Sequence, residues 1–163
     1  MFYGLLCAFS ALIVILDQVS KYLTITHFSY PNPTDLSVWP GVFHLTRAHN
    51  TGMSFSMLQG GRWFFIIVTI VFLALIIYAV KKKWFTNRVS LWCLAAVVGG
   101  ALGNFIDRVL YGYVVDMIEV EFIRFPVFNV ADSFVVCGAI LLVIVELFFV
   151  KQKKEGVSHD SDS

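Results

Sequence analysis

Residues Trp63-Phe-Phe-Ile-Ile-Val-Thr-Ile-Val-Phe-Leu-Ala-Leu-Ile-Ile-Tyr-Ala-Val80 form an apolar run without a charged side chain. A run of roughly 18 apolar residues is about what an α-helix needs to cross a hydrocarbon core of roughly 30 Å. Lipid offers no partner to a backbone N–H or C=O, so such a run must close its own hydrogen bonds as a helix. The surrounding chain agrees: its 163 residues are 58% hydrophobic and 14% charged, with a mean hydropathy of +0.79. A soluble domain carries about a quarter charged residues. Too few charges are present to build a fully wetted surface, so lipid covers much of the exterior.

Three further runs are long enough to span. One extends from about Phe2 to about Leu23, apolar up to Leu16 and then carrying Asp17 and Lys21; the others are Val89–Ile106 and about Ser133–Val150. The chain therefore reads as an all-α membrane protein of four transmembrane helices. Residues 1–154 form a single polytopic membrane domain, and the polar residues 155–163 a disordered cytoplasmic tail. Lys81, Lys82, Lys83 and Arg88 fill the loop between the second and third spans, and Lys151, Lys153 and Lys154 follow the fourth. The positive-inside rule places both clusters and both termini in the cytoplasm. Trp39, Trp63, Trp84, Trp92 and Tyr78 fall near span ends, where aromatic belts form.

The remaining loops, about 24–62 and 107–132, then lie outside the cytoplasm. Residues 42–45 and 55–57, around the turn-prone Asn50-Thr51-Gly52, and residues 113–118 have strand composition, which predicts a small extracytoplasmic β-rich layer. The N-terminus has neither the basic start nor the small-residue cleavage site of a removable signal peptide. Cys7, Cys93 and Cys137 are scattered in apolar runs and read as buried small apolar residues, not as disulfide or zinc ligands. No basic stripe suggests nucleic acid as a partner, and the net charge of +1 gives no sign of an acidic one.

On this topology the polar residues that are hardest to explain gather at one membrane face. Asp17 and Lys21 lie at the outer end of the first span; Asn104, Asp107 and Arg108 at that of the third; Asp132 opens the fourth; and Asn50, Asp116 and Asn129 lie in the outer loops. Ionisable groups at membrane depth are costly and mark functional sites. Asp116 and Asp132 both sit in apolar company. Two carboxylates brought together in a low dielectric cannot both ionise; they share a proton and supply a general base and a general acid from the same side chain type. Such a pair hydrolyses a peptide bond with no metal or nucleophile. The plainer reading is that each aspartate caps a helix or pairs with Arg108 or Arg124.

Other residues admit two readings as well. Asp17 and Lys21 are spaced as an intrahelical pair. Asp107 and Arg108 could pair with each other, or Arg108 could meet a lipid phosphate. Asn129 could cap the fourth span or orient the aspartates. Gly99 and Gly103 fit a G-x-x-x-G packing face. His44 and His49 lack companions at metal spacing, and Ser54, Ser56 and Ser133 lack a base. Glu146 reads only as a polar packing contact.

Five segments carry a family resemblance. Asp17-Gln18-Val19-Ser20-Lys21, Asn50-Thr51-Gly52-Met53-Ser54-Phe55, Gly103-Asn104-Phe105-Ile106-Asp107-Arg108, Val115-Asp116-Met117-Ile118 and Phe128-Asn129-Val130-Ala131-Asp132-Ser133 resemble, in order, the motifs of lipoprotein signal peptidase (signal peptidase II). The resemblance implies an aspartic endopeptidase of the bacterial cytoplasmic membrane, with Asp116 and Asp132 as the catalytic dyad. Asn50, Gly52, Asn104, Arg108 and Asn129 would line or support the site, with Asp17, Lys21 and Asp107 serving activity or stability. Its substrates would be diacylglyceryl-modified prolipoproteins, cut just before the lipidated cysteine. It further implies contact with membrane lipids, inhibition by globomycin-type peptides, and no metal or organic cofactor. Three rivals compete: a small transporter or proton relay using Asp17, Asp107 and Asp132, a non-catalytic scaffold, and a metal-dependent protease. Against the first, no span carries charge at its middle.

Overall fold

The computed structural model describes residues 1–31, 35–52 and 61–160. Its helices are α1 (Phe2–His27), α2 (Arg62–Lys81), α3 (Arg88–Leu110) and α4 (Val130–Asp160), with strands β1 (Leu36–Trp39), β2 (Phe43–Asn50) and β3 (Val114–Val120) between them. All four helices are long and apolar enough to cross a membrane, α4 through Val130–Phe149. The protein is thus a four-helix membrane bundle carrying a small antiparallel sheet.

Three helices overrun their expected ends. α1 continues past Leu23 to His27, α3 past Ile106 to Leu110, and α4 begins at Val130 rather than Ser133. The expected ends of the first and third spans fall close to Lys21 and Asp107, but these two are buried within helical turns and neutralise each other, so nothing ends the helix at them. α4 also continues to Asp160, where a disordered tail was expected from residue 155. Lys151, Gln152, Lys153, Lys154 and Glu155 are strong helix formers and extend an already nucleated helix at little cost.

α3 is the centre of the bundle. Over its membrane window 56% is buried, against 11–22% for the other three, and it packs on α1, α2 and α4. Small residues permit this. A Cβ at Gly99 would lie 2.9 Å from Ile13 Cβ and from the Ser10 carbonyl of α1, and one at Gly103 would lie 2.5 Å from Asp17 Oδ2. A Cβ at Gly100 would strike the Ala131 carbonyl of α4. The G-x-x-x-G face therefore receives α1, while the adjacent glycine receives α4. Ser10 Oγ donates to the Ala95 carbonyl at 2.7 Å, linking α1 to α3. Ser90 Oγ donates to Glu146, giving that carboxylate a partner between α3 and α4. Most exposed large apolar side chains lie on the helices, as a lipid-facing surface requires. Cys7 and Cys137 belong to the exposed set, and only Cys93 is buried as expected.

The sheet has the order β1-β2-β3. Residues 42–45 and 113–118 contribute to β2 and β3 as expected, whereas 55–57 lie outside the described residues and β1 was not foreseen. Asn50 closes β2 instead of sitting in a turn. The register pairs Ala48 with Asp116 and Asn50 with Val114. Side chains alternate along a strand, so Asn50 and Asp116 share a face as diagonal neighbours. Replacing Gly100 with Ala forces backbone apart and should cost about 1–3 kcal/mol. Gly103→Ala need only displace the Asp17 carboxylate. Thermal unfolding in detergent should lower Tm for both, and more for Gly100→Ala.

Candidate active site

The site forms where α1, α3, the start of α4 and the sheet meet. Lys21 sends its ammonium Nζ 2.8 Å from Asp17 Oδ2, one turn back on α1, and 3.0 Å from Asp107 Oδ2 on α3. Its third hydrogen bond goes to Asn104 Oδ1 at 3.0 Å. All three ammonium protons are used, and Asp17, Lys21 and Asp107 are 0–2% exposed. Gln18 Nε2 also donates to Asp107 at 2.9 Å. The carboxylates reach further still. Asp17 Oδ1 accepts the Ala131 N–H at 2.9 Å, at the N-terminus of α4 where a helix favours negative charge. Asp107 Oδ2 accepts the Val115 N–H at 3.0 Å, beside Asp116.

Two amides carry this framework to the aspartates. Asn104 accepts from Lys21 and donates from Nδ2 to Asp132 Oδ1 at 2.7 Å. Asn129 Nδ2 donates to Asp116 Oδ1 at 2.7 Å and to Asn104 Oδ1 at 3.0 Å. Asn129 Oδ1 accepts the Asp132 N–H at 2.9 Å, while the Asn129 N–H points back to Asp132 Oδ2 at 3.3 Å. That exchange is a capping box with aspartate at the third position, so Asn129 both caps α4 and fixes Asp132. Asn50 Nδ2 donates to Asp116 Oδ2 at 3.0 Å, and Asn50 Oδ1 accepts the Gly52 N–H. Asp116 and Asp132 thus hang from one connected set of amides.

Their surroundings differ. Asp116 is 1% exposed. Burial, and then the charge of Asp132, push its carboxyl up to about 7, against the pull of the Asn50 and Asn129 hydrogen bonds. Asp132 is half-buried on the wall of a cavity of about 430 Å³, which Asn50, Gly52, Arg108, Phe125, Phe128 and Cys137 help to line. Asp116 lies behind that wall, covered by Asn50. Neither aspartate forms an ion pair with an arginine among the described residues. Arg108 does not pair with Asp107 either. Its guanidinium stands 4.9 Å over the Phe65 ring and donates to the carbonyls of Asn104 and Gly52.

The structure therefore gathers Asp17, Lys21, Asn50, Gly52, Asn104, Asp107, Arg108, Asp116, Asn129 and Asp132 into one region. Ser133 Oγ donates to the Asn129 carbonyl and makes no hydrogen bond to a basic side chain among the described residues. Among the described residues, no three His, Cys, Asp or Glu side chains assemble as a metal-ligand set. Sequence reading missed the supports supplied by Phe65 and by His49. The latter is stacked between Tyr30 and Tyr113, with ring centroids at 3.6 and 3.9 Å, one residue before Asn50. No local signal marks such a stack, because the three rings come from separate segments.

A helical membrane bundle with two linked carboxyl groups, one buried and held near neutral pKa and the other on a cavity wall, has the equipment of a membrane hydrolase. Residues 9–149 match the family described as Signal peptidase (SPase) II. The chain is similar to the lipoprotein signal peptidase of Enterococcus faecalis, at 44% identity over 150 residues and 90% of each chain. It is also similar to that of Streptococcus pyogenes serotype M5, at 39% identity over 133 residues, covering 82% of this chain and 86% of the relative. A bacterial membrane enzyme solved by the in meso method at 2.3 Å superposes with a TM-score of 0.85, at 36% identity over 93% of both chains. A second, solved at 1.9 Å, gives a TM-score of 0.80. The chain belongs to the signal peptidase II family and is a multi-pass bacterial membrane peptidase.

Replacing Lys21 with Met removes the one cation from between two buried carboxylates. Breaking a buried pair in this way costs about 3–5 kcal/mol. Lys21→Met should therefore lose most of its folded population on gentle heating in detergent. The double variant Asp107→Asn with Asp17→Asn keeps Lys21 but leaves its buried ammonium without a counter-charge, and should lower Tm as well.

Proposed function

We propose that this protein removes signal peptides from diacylglyceryl-modified prolipoproteins, cutting just before the lipidated cysteine by aspartic general acid–base catalysis. The observation that carries the reading is the Asp116–Asn129–Asp132 linkage at the cavity wall, in a chain similar to lipoprotein signal peptidases. The pair shares one proton, which rests on Asp116, where burial disfavours charge. Asp132 holds the negative charge, supported by Asn104, by the Asn129 N–H and by the first turn of α4. Asp132 takes a proton from water as the oxygen adds to the scissile carbonyl carbon. Asp116 gives its proton to the departing amine as the C–N bond breaks. The proton taken by Asp132 then returns the pair to its starting state. Substrate binding displaces the Asn50 amide that covers Asp116.

The substrate's lipid chains hold its cysteine at the membrane surface. Helix ends at that surface meet the bond where the lipid places it, and remote binding of the chains turns attack into an intramolecular event. By this reading both termini are cytoplasmic, and Asn50, Gly52, Asn104, Arg108 and Asn129 hold the dyad and the peptide. Globomycin-type peptides compete for the same cavity. The transporter alternative is not favoured, because Asp17 and Asp107 are consumed by Lys21.

Purified protein in detergent should cleave a diacylglyceryl prolipoprotein and ignore EDTA. Asp116→Asn and Asp132→Asn, each still folded, should lose on the order of 10²–10⁴-fold or more in rate. Cleavage surviving either change would remove the dyad from the mechanism. The pH profile offers a separate check. Because the carboxyl of Asp116 is raised to about 7, the active form is populated below that value, and kcat/KM should fall as pH climbs through it. Asn50 favours the charged form of Asp116, so Asn50→Ala should move this alkaline limb to higher pH, whatever it does to the maximal rate.

A further inference from the structure

The end of the sheet remote from Asn50 carries an exposed aromatic cluster, in which Phe125 also lines the site cavity while Trp39, Phe122 and Ile123 do not. β1 ends at Trp39, β2 begins at Phe43 and β3 ends at Val120, and the register brings Trp39 opposite Phe43 and Phe43 opposite Val120. The β1–β2 turn and the 121–125 loop are therefore neighbours. Glu121 joins them: its N–H donates to the Val42 carbonyl at 2.9 Å, and its Oε2 accepts the Gly41 N–H at 2.8 Å. From this fixed corner project Trp39, Phe122, Ile123 and Phe125, which are 64%, 65%, 51% and 52% exposed. Arg124 is exposed among them and has no acidic partner among the described residues.

Side chains of this kind are not left in water without a use. An aromatic cluster with one unpaired cation is the composition of a segment that sinks to the headgroup level, rings toward the acyl chains and guanidinium on a phosphate. The surface is also continuous with one that faces lipid. Phe125 lines the same cavity as Val136, which is 55% exposed on the membrane helix α4. The opposite end of β3 is tied to the bundle through Val115 and Asp107, so the aromatic corner is the sheet's free end. The geometry points to this corner as a lipid-binding surface: Trp39, Phe122 and Ile123 insert into the outer leaflet, and Arg124 binds a lipid phosphate. The sheet is thereby held against the membrane, with the cavity opening at leaflet level.

The full chain, reconstituted in vesicles of phosphatidylethanolamine and phosphatidylglycerol, tests this without any cleavage readout. In a variant retaining only Trp39 (Trp63→Phe, Trp84→Phe, Trp92→Phe), lipids brominated on the acyl chain should quench the emission severalfold, and aqueous iodide should not. A spin label at Phe122→Cys, with the native cysteines replaced by Ala, should collide with oxygen far more than with a water-soluble nickel chelate; a label at Glu119→Cys should show the reverse. Iodide quenching of Trp39, or nickel contact at residue 122 equal to that at 119, overturns the inference. So does a label shielded from both reagents, which would mean protein covers the corner. An enzyme inert toward prolipoprotein but quenched by bromolipid would refute the proposed function and leave this surface standing.

Discussion

Lys21 places an ammonium group between two helices at a depth where lipid-facing positions carry apolar side chains, and the site is built around satisfying it. A lone charge there would be expelled. Two carboxylates and one amide take all three of its protons, and each of those partners is committed elsewhere. Asp17 holds the first turn of α4, Asp107 holds the backbone next to Asp116, and Asn104 holds Asp132. Charge neutralisation, helix entry and the placement of both candidate catalytic groups are therefore one problem with one solution. A buried ion cluster is weak grounds for stability, since an apolar replacement often packs as well. Its value here is positional, because no apolar contact could aim hydrogen bonds at three separate segments.

Close packing makes that cluster possible. Asp17 lies directly against Gly103, with no room for a Cβ between them, and Gly100 gives the start of α4 the same access to α3. Membrane helices gain no hydrophobic drive from associating with one another, so small residues at the contact and polar links across it hold the bundle together. Gly100 lies about one turn before Asn104, and Gly103 about one turn before Asp107. The contact that assembles the helices is thus also the one that brings the polar side chains into range.

The two aspartates are chemically identical and acquire different surroundings from their elements. Asp116 is on a strand, walled in by the bundle, Asn50 and Asn129, and is held near neutral pKa. Asp132 is in the first turn of a helix, open to a cavity and surrounded by donors. Asn129 touches both, through its side chain to one and its cap to the other. A single amide therefore couples the opening of the fourth helix to the geometry of the pair.

Much of this was legible in the residues themselves. Four apolar runs, a lysine-rich side and a polar side follow from the absence of hydrogen-bonding partners in lipid and need no tertiary information. The gathering of Asp17, Lys21, Asn104, Asp107, Asp116 and Asp132 toward one end follows from the same spans, and the ordered motifs around them indicate the family. Sequence alone left open whether Arg108 pairs with Asp107, whether Asn129 caps or orients, and whether Asp17 and Lys21 are a local pair. Pairwise spacing cannot rank partners that arrive from other helices. Only the folded bundle assigns Asp107 to Lys21, sets Arg108 over Phe65, and gives Asn129 both roles. β1, the Tyr30–His49–Tyr113 stack and the aromatic corner at Trp39 and Phe122 were likewise decided in three dimensions, because each joins segments that share no local signal.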